Sequence, residues 1–198
     1  MQVKEKIIIG TWPISGDYGH ISNNDSCNII EKCIENNFLH FDTAPNYGKG
    51  RIEKILGKYT LTNKYIKIDT KIGNSSNNIK SFKEIDLRSN FFSSLDRMKL
   101  EKVHTLYLHN PRLKDNEILN LINLLNILKD SNLCNNIGIS LANDFSYNMN
   151  ILKNFDVVQA DFNLLKPLDV SISKLTNLCA RSIYASGILS KSKSLKIE

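Results

Sequence analysis

The sequence of 198 residues lacks the features of several specialised classes of protein. It has no apolar run long enough for a membrane span or a signal peptide, since the apolar stretch in "MQVKEKIIIGTW" is short. It also has no segment that looks like a linker, and no run of basic residues before the alternating "KSKSLK" near its end. The net charge of +6 therefore favours a solvated basic surface over a nucleic-acid interface. We expect one domain over residues 1–198, no membrane or nucleic-acid partner, and a cytoplasmic location.

Cysteine and histidine are also scarce. The four cysteines show none of the short paired spacings of zinc sites, and the four histidines form no ligand spacing with one another. We therefore expect free, buried thiols and no metal site. The residues concerned are Cys27, Cys33, Cys134, Cys179, His20, His40, His104 and His109.

Short apolar, β-branched runs alternate with amphipathic helical patterns along the chain. Most of these runs are followed by a polar or Gly-containing loop, which is typical of strands buried in a parallel sheet. The predicted strands are 6–12, 38–42, 65–73, 103–110, 136–140, 156–162 and 181–186. The predicted helices are 25–37, 51–58, 87–98, 116–129, 145–153 and 170–178, with Asp25 and Asn116 at cap positions.

This alternation is typical of two architectures, a (β/α)8 barrel and an open doubly wound sheet. The open sheet would need a glycine-rich dinucleotide fingerprint after its first strand, and "GTWPISGDYG" lacks that spacing. We therefore predict an α/β fold of the (β/α)8 TIM barrel type. The barrel is predicted to be incomplete, because the chain contains about seven strands.

In such a barrel the active site lies at the C-terminal ends of the strands, so polar residues there are candidates for function. Asp42, Lys71 and His109 end the second, third and fourth predicted strands, and Tyr47 follows Asp42 in "HFDTAPNYGKG". Each has an ordinary explanation when taken singly, as a helix cap, a surface cation or a packed side chain. Four such residues at one end of neighbouring strands favour a shared site.

These four residue types suit carbonyl reduction. A phenol has an ordinary pKa of about 10, so it donates a proton near neutral pH when a nearby cation stabilises the phenolate. Lys71 would supply that cation for Tyr47, and Asp42 would hold the ammonium in place by an ion pair. The imidazole of His109 would hydrogen-bond the substrate carbonyl and orient it.

Five ordered motifs resemble those of the aldo-keto reductases, from Gly10 to about Leu189. The resemblance implies a (β/α)8 barrel that uses a nicotinamide cofactor, NADP or NAD, to reduce an aldehyde or ketone. It implies that Tyr47 is the general acid, that Lys71 and Asp42 tune it, and that His109 orients the carbonyl. The motifs are "HFDTAPNYGKGRIEKILG", "TKIG", "YLHNP", "GIS" and "VQADFNLL".

The resemblance also implies a set of cofactor-binding residues. Gln159 and Ser140 match family positions near the nicotinamide carboxamide. Leu141 stands where many members have an asparagine after that serine, and Asn143 is close enough to substitute for it. Arg181 aligns with an aromatic residue that stacks on the nicotinamide, and a guanidinium can also lie flat on a ring.

Other matched positions have structural or cleft roles. Trp12, at the end of the first strand, would line the substrate cleft, although it could equally be a partly buried core indole. Glu53 and Gly57 match positions that pack the second helix. Gly48 would form the sharp loop that carries Tyr47.

Members of the family continue with a helix, a strand and a further helix, whose loops hold the cofactor's phosphates and adenosine. This chain ends at Glu198, so a truncated reductase, part of a longer product and a short homologue that borrows a strand from another subunit all remain open. A catalytically weak or inactive barrel is a further alternative. It would act as a binding or assembly module and self-associate through its exposed edges. The sequence identifies neither the substrate nor the preference between NADPH and NADH.

Overall fold

A computed structural model describes residues 3–168, 170–175 and 177–190. Seven strands form one sheet in which each strand pairs in parallel with the next along the chain. This order, with a crossover between successive strands, gives the nearly closed (β/α)8-type barrel that the sequence predicts. The strands are β1 (Ile9–Gly10), β2 (His40–Asp42), β3 (Lys67–Ile72), β4 (Val103–His109), β5 (Cys134–Ser140), β6 (Val157–Asp161) and β7 (Leu178–Arg181).

Six α-helices lie between the strands of the described part of the chain. They are α1 (Asn23–Glu35), α2 (Arg51–Thr60), α3 (Glu84–Met98), α4 (Asp115–Asp130), α5 (Met149–Leu152) and α6 (Val170–Ser173). Short 3-10 helices cover Val3–Lys6, Trp12–Ile14 and Ala185–Ser190. No helix in the ranges that the structure describes is long and apolar enough to cross a bilayer.

The first and last predicted strands have wrong bounds. β1 is only two residues long, because the chain turns into a 3-10 helix at Trp12. β7 ends at Arg181, where the prediction has it begin. The cause lies in the backbone of Ser182, whose φ of 58° is incompatible with an extended strand. The apolar residues just before Arg181 pair with β6 instead.

The two predicted helix caps are also wrong. α1 begins earlier, because the hydroxyl of Ser22 accepts a hydrogen bond from the backbone N–H of Asp25 at 3.0 Å. α4 follows Lys114, whose backbone N–H donates to the carboxylate of Glu117 at 2.9 Å. The fifth and sixth helices are shorter than predicted, at four residues each.

The strands place different side chains on their two faces, and helices cover the outer face. On β3, Ile68 and Ile72 belong to the hydrophobic core. Asp69 and Lys71 alternate with them and therefore point toward the barrel interior. All four side chains are buried, since a parallel sheet of this kind is covered on both faces.

Helix α2 is fixed by a close approach to α3. A Cβ at Gly57 would lie 2.4 Å from the carbonyl oxygen of Arg97, so only glycine fits there. Glu53 is fully buried and accepts hydrogen bonds from Nε of Arg97 at 2.7 Å and from the hydroxyl of Thr70 at 3.0 Å. Glu53 and Gly57 thus pack the second helix, as expected, and they anchor the loop that precedes it.

Candidate active site

The C-terminal ends of β2, β3 and β4 bring together the four residues predicted to be catalytic. Nζ of Lys71 lies 2.6 Å from Oδ1 of Asp42 and 3.3 Å from the hydroxyl oxygen of Tyr47. The ring of His109 stands edge-on to the ring of Tyr47, with 6.4 Å between centroids. The four side chains form one cluster at the mouth of the barrel.

The loop after β2 carries Tyr47 into this cluster. The loop is sharp because Gly48 has a φ of +56°, and a Cβ there would lie 2.8 Å from the carbonyl oxygen of Ser15. Lys71 also donates to the carbonyl oxygen of Thr43 at 2.8 Å, which fixes the start of the loop. The ammonium is therefore held by a carboxylate, a carbonyl and a phenol at once.

The charge of Lys71 is kept by its neighbours. The side chain is 1% exposed, and burial alone would lower its pKa. The charge of Asp42 and the contact with Tyr47 outweigh burial, so the pKa of Lys71 is raised above its ordinary value. An ammonium ion therefore lies beside the hydroxyl of Tyr47 at neutral pH.

Tyr47 and His109 are both neutral at neutral pH. Burial raises the pKa of Tyr47, and the positive charge of Lys71 opposes that rise without reversing it. Burial lowers the pKa of His109 to about 3, and the positive charges of Lys71 and Arg181 add to the effect. Nδ1 of His109 is buried and has no hydrogen-bond partner among the described residues. Tyr47 thus keeps a proton to donate, and His109 is an uncharged imidazole.

Two of the predicted cofactor residues connect directly to this cluster. Nε2 of Gln159 donates to Oδ2 of Asp42 at 3.0 Å, and its Oε1 accepts from the hydroxyl of Ser140 at 2.9 Å. Gln159, in the middle of β6, and Ser140, the last residue of β5, are both buried. The Gln159 amide also hydrogen-bonds the side chain of Cys179. One acceptor position on Oε1 therefore remains, because an amide has two donors and two acceptor lone pairs.

The other two predicted cofactor residues meet at Asp161, the last residue of β6. Asn143 donates to Oδ2 of Asp161 at 2.5 Å, and Nη1 of Arg181 lies 2.7 Å from Oδ1. Arg181 also donates to the carbonyl oxygen of Leu141 at 2.8 Å. Asn143 and Asp161 line a cavity of about 380 Å³. This second group lies at the rim, beside the catalytic cluster.

Trp12 lies at the mouth of the barrel and is not a core indole. Its side chain is 42% exposed, and its ring lies 6.4 Å from the ring of Tyr47 and 4.7 Å from the ring of Tyr18. Its Nε1 donates to the carboxylate of Asp17 at 2.7 Å. The hydroxyl of Tyr18 lies 3.3 Å from that of Ser186, so the loops after β1 and β7 touch at the mouth.

The sequence did not predict two residues of the barrel interior, Asp161 and Tyr107. Asp161 lies two positions after Gln159, so strand alternation places both side chains on one face of β6. Tyr107 lies two positions before His109 and is fully buried, with its hydroxyl beside Cys179. The same alternation would have identified both residues.

Comparisons with known proteins agree with this architecture. A glycerol dehydrogenase from Gluconobacter oxydans superposes with a TM-score of 0.79 at 20% identity, over 98% of this chain and 64% of that chain. An aldo-keto reductase from Bacillus halodurans, in its holo form, gives 0.64 at 20% identity, over 79% and 53%. A pyridoxal 4-dehydrogenase from Microbacterium luteolum is 39% identical over 49 residues, which are 25% of this chain and 14% of that protein.

This chain covers only part of each relative, whereas the family model covers nearly all of this chain. The chain spans less than two thirds of the length of each of these three proteins. The model of the aldo/keto reductase family, in contrast, matches residues 6–193, which is nearly the whole chain. The chain therefore belongs to the aldo/keto reductase family.

Proposed function

We propose that this chain carries the reducing centre of an NAD(P)-dependent oxidoreductase that converts an aldehyde or ketone into an alcohol by hydride transfer. The observation that supports this most strongly is the buried ammonium of Lys71, 2.6 Å from Asp42 and 3.3 Å from the hydroxyl of Tyr47. Membership of the family and the relatives named as dehydrogenases support oxidoreduction.

Tyr47 acts as the general acid in this proposal. As the substrate carbonyl carbon receives a hydride, negative charge develops on its oxygen, and Tyr47 transfers its phenolic proton to that oxygen. The O–H electron pair stays on the phenolate, whose charge the adjacent Lys71 stabilises. Asp42 keeps Lys71 charged and in position, since it raises the pKa of the ammonium.

His109 orients the substrate in this proposal. A neutral imidazole can donate one N–H to the carbonyl oxygen, and the low pKa of His109 keeps the ring neutral near pH 7. A neutral ring also avoids placing a second positive charge beside Lys71. Trp12, exposed next to Tyr47, would form one wall of the substrate cleft.

The polar residues on β5 and β6 fit a nicotinamide carboxamide. The amide of Gln159 has one acceptor position left on Oε1 after its bonds to Asp42, Ser140 and Cys179. We propose that Ser140, Gln159 and Asn143 bind that carboxamide and that the guanidinium plane of Arg181 contacts the ring. The bound cofactor, NADP or NAD in its reduced form, would supply the hydride and be oxidised to NADP+ or NAD+.

Cofactor titration and turnover test this proposal. We expect NADPH or NADH to bind with a change in nicotinamide fluorescence, and a panel of small aldehydes to be reduced. Asn143→Ala should weaken binding by about tenfold, the effect of losing one good hydrogen bond. Asn126→Ala, on the exposed face of α4, is the matched control and should have no effect. Failure of both cofactors to bind at about 1 mM would contradict the proposal.

The two edge strands of the sheet, β1 and β7, favour a second function. Among the described residues, β1 pairs only with β2 and β7 pairs only with β6. An unpaired strand edge can pair with another chain. We propose that such edges allow self-association, which would suit an assembly module. Light scattering tests it, and a monomer at all concentrations would contradict it.

The cellular compartment is a further part of the proposal. All four cysteines are free, but only Cys134 is buried as predicted, and Cys27, Cys33 and Cys179 are partly exposed. Free thiols fit a reducing compartment such as the cytoplasm. Cell fractionation tests this location, and recovery of the protein outside the cytoplasm would contradict it.

A further inference from the structure

A compact group of side chains that could hold a metal ion lies below the proposed reducing centre, toward the N-terminal ends of the strands. His40 begins β2, Asp69 is the third residue of β3, and His104 is the second residue of β4. Nε2 of His40 lies 3.0 Å from Oδ2 of Asp69, and Nδ1 of His104 lies 3.1 Å from Oδ1. One ligand atom from each of the three residues lies within 4.8 Å of the others.

The hydrogen bonding of this group is incomplete. Asp69 is 1% exposed, so water does not solvate its carboxylate. Nε2 of His40 and Oδ2 of Asp69 lie 3.0 Å apart, and neither atom has another partner among the described residues. Nδ1 of His104, in contrast, also lies 3.1 Å from the hydroxyl of Thr105. The Nε2 and Oδ2 atoms therefore have only each other inside the cluster.

We propose that His40, Asp69 and His104 bind one divalent transition-metal ion, for which Zn²⁺ is the best match. Zinc takes two imidazoles and a carboxylate as three protein ligands, with water in the fourth position. At ligand distances of about 2.1 Å, tetrahedral zinc needs ligand atoms about 3.4 Å apart. The observed contacts of 3.0 and 3.1 Å are already near that spacing. The two imidazoles are partly exposed, at 15% and 27%, which gives the ion and its water access.

The ion would take no part in the proposed reduction. His40 lies two residues before Asp42 on β2, and Asp69 lies two residues before Lys71 on β3. Two residues of strand separate the layers by about 7 Å, so an ion here would lie below the reducing centre and outside its chemistry. It would cross-link three consecutive strands. Without an ion, the same residues would form a buried carboxylate held between two imidazoles.

Zinc titration of the chelator-treated protein tests the proposal. We expect one equivalent of Zn²⁺ to bind and to raise the melting temperature. His40→Gln and His104→Gln should each weaken binding by at least about tenfold, since loss of even an outer-sphere partner costs that much. His20→Gln replaces an exposed histidine outside the cluster and should leave binding unchanged. Co²⁺ should give visible d–d absorption that both cluster variants lose.

A measurement on the unmodified protein avoids any dependence on how the variants fold. Addition of Zn²⁺ should shift the imidazole NMR signals of His40 and His104 and leave those of His20 unchanged. The proposal is overturned if the protein binds no stoichiometric Zn²⁺ or if these two rings do not respond. It is also overturned if zinc binds equally well to both folded cluster variants, because the ion would then be held elsewhere, for example by cysteines.

Discussion

Two polar clusters on β2, β3 and β4 each hold a buried carboxylate, but the partners of that carboxylate differ. At the C-terminal end, Asp42 contacts the ammonium of Lys71, which in turn contacts a phenol. Toward the N-terminal ends, Asp69, which pairs in register with Asp42, lies between the imidazoles of His40 and His104. Strand alternation places all of the β2 and β3 residues concerned toward the interior. One barrel therefore holds two polar clusters, and the partner of the carboxylate decides the chemistry of each.

The two clusters also differ in what positions them. The C-terminal cluster includes Tyr47 and the carbonyl of Thr43, both from the loop after β2. The N-terminal cluster consists only of residues within strands. Loops at the C-terminal face of a barrel are the usual place for catalysis, whereas the other face usually contributes stability. Mutation should separate the two ends in the same way.

The largest effect is expected for Tyr47→Phe. This change removes the proposed proton donor and keeps the ring, so the rate of carbonyl reduction should fall by about 10² to 10⁴. Steady-state kinetics measure this loss, and circular dichroism should show an unchanged fold. Tyr18→Phe is the matched control, because its hydroxyl lies at the mouth on Ser186 and has no part in proton transfer. An equal loss in both variants would argue against the assignment.

Asp69→Asn should act on stability. The carboxylate is buried, and burial raises its pKa, but hydrogen bonds and charge from His104 and His40 outweigh burial and lower it. Removing one partner of a buried pair costs about 3 kcal/mol of unfolding free energy. Urea denaturation in the presence of a chelator measures this loss. Asp96→Asn, at an exposed carboxylate, is the control. A comparable loss of unfolding free energy in this variant would mean that the buried position of Asp69 gives it no special importance.

The two ends should also respond to acid in different pH ranges. The pKa of His109 falls from 6.5 to about 3 on folding, so between these values the unfolded chain binds more protons than the native chain. Stability should therefore fall by about 1.4 kcal/mol for each pH unit below 6.5. The pKa of Asp69 is lowered from 3.8, so its contribution is lost only below about pH 4.

Replacement of His109 isolates its part of this acid response. His109→Gln has no titrating group at this position, so its unfolding free energy should depend less steeply on pH between about 6.5 and 3. Denaturation midpoints across this range measure the slope. An unchanged slope would mean that burial does not hold His109 neutral.

The smallest effect is expected for an ion pair that belongs to neither polar cluster. Glu84 and Arg88 form an exposed i,i+4 ion pair on α3, at 2.7 Å. Such pairs contribute about 0.5 kcal/mol or less, so Glu84→Gln should change the unfolding free energy by no more than that. Urea denaturation gives the baseline for the other variants. A loss of unfolding free energy as large as that of Asp69→Asn would show that burial in a cluster does not explain the effect of Asp69→Asn.

Most of the fold can be predicted from the sequence because its signals are local. The alternation of apolar runs with helical patterns gives the seven strands and their order. The bounds of β7 cannot be predicted in this way, because "RSIYAS" has the composition of a strand while Ser182 has a positive φ. Such a backbone conformation is set by the surrounding structure and leaves no mark in the residue types.

The candidate site is predictable at one end of the barrel only. Asp42, Lys71 and His109 are found because they end strands, and barrel geometry brings strand ends together. His40 and His104 show no ligand spacing in the sequence, and only parallel pairing through β3 brings them to Asp69. Contacts between strand beginnings depend on register, which the sequence does not specify.

A double-mutant cycle on the rate of hydride transfer tests the central claim most directly. Tyr47→Phe and Lys71→Met should act through the same proton, since Lys71 stabilises the phenolate that Tyr47 becomes. We expect the double variant to lose little more than the more damaging single variant, because groups that act as a unit are far from additive. Full activity in Tyr47→Phe, or a double loss equal to the product of the two single losses, would contradict the proposed acid and its tuning pair.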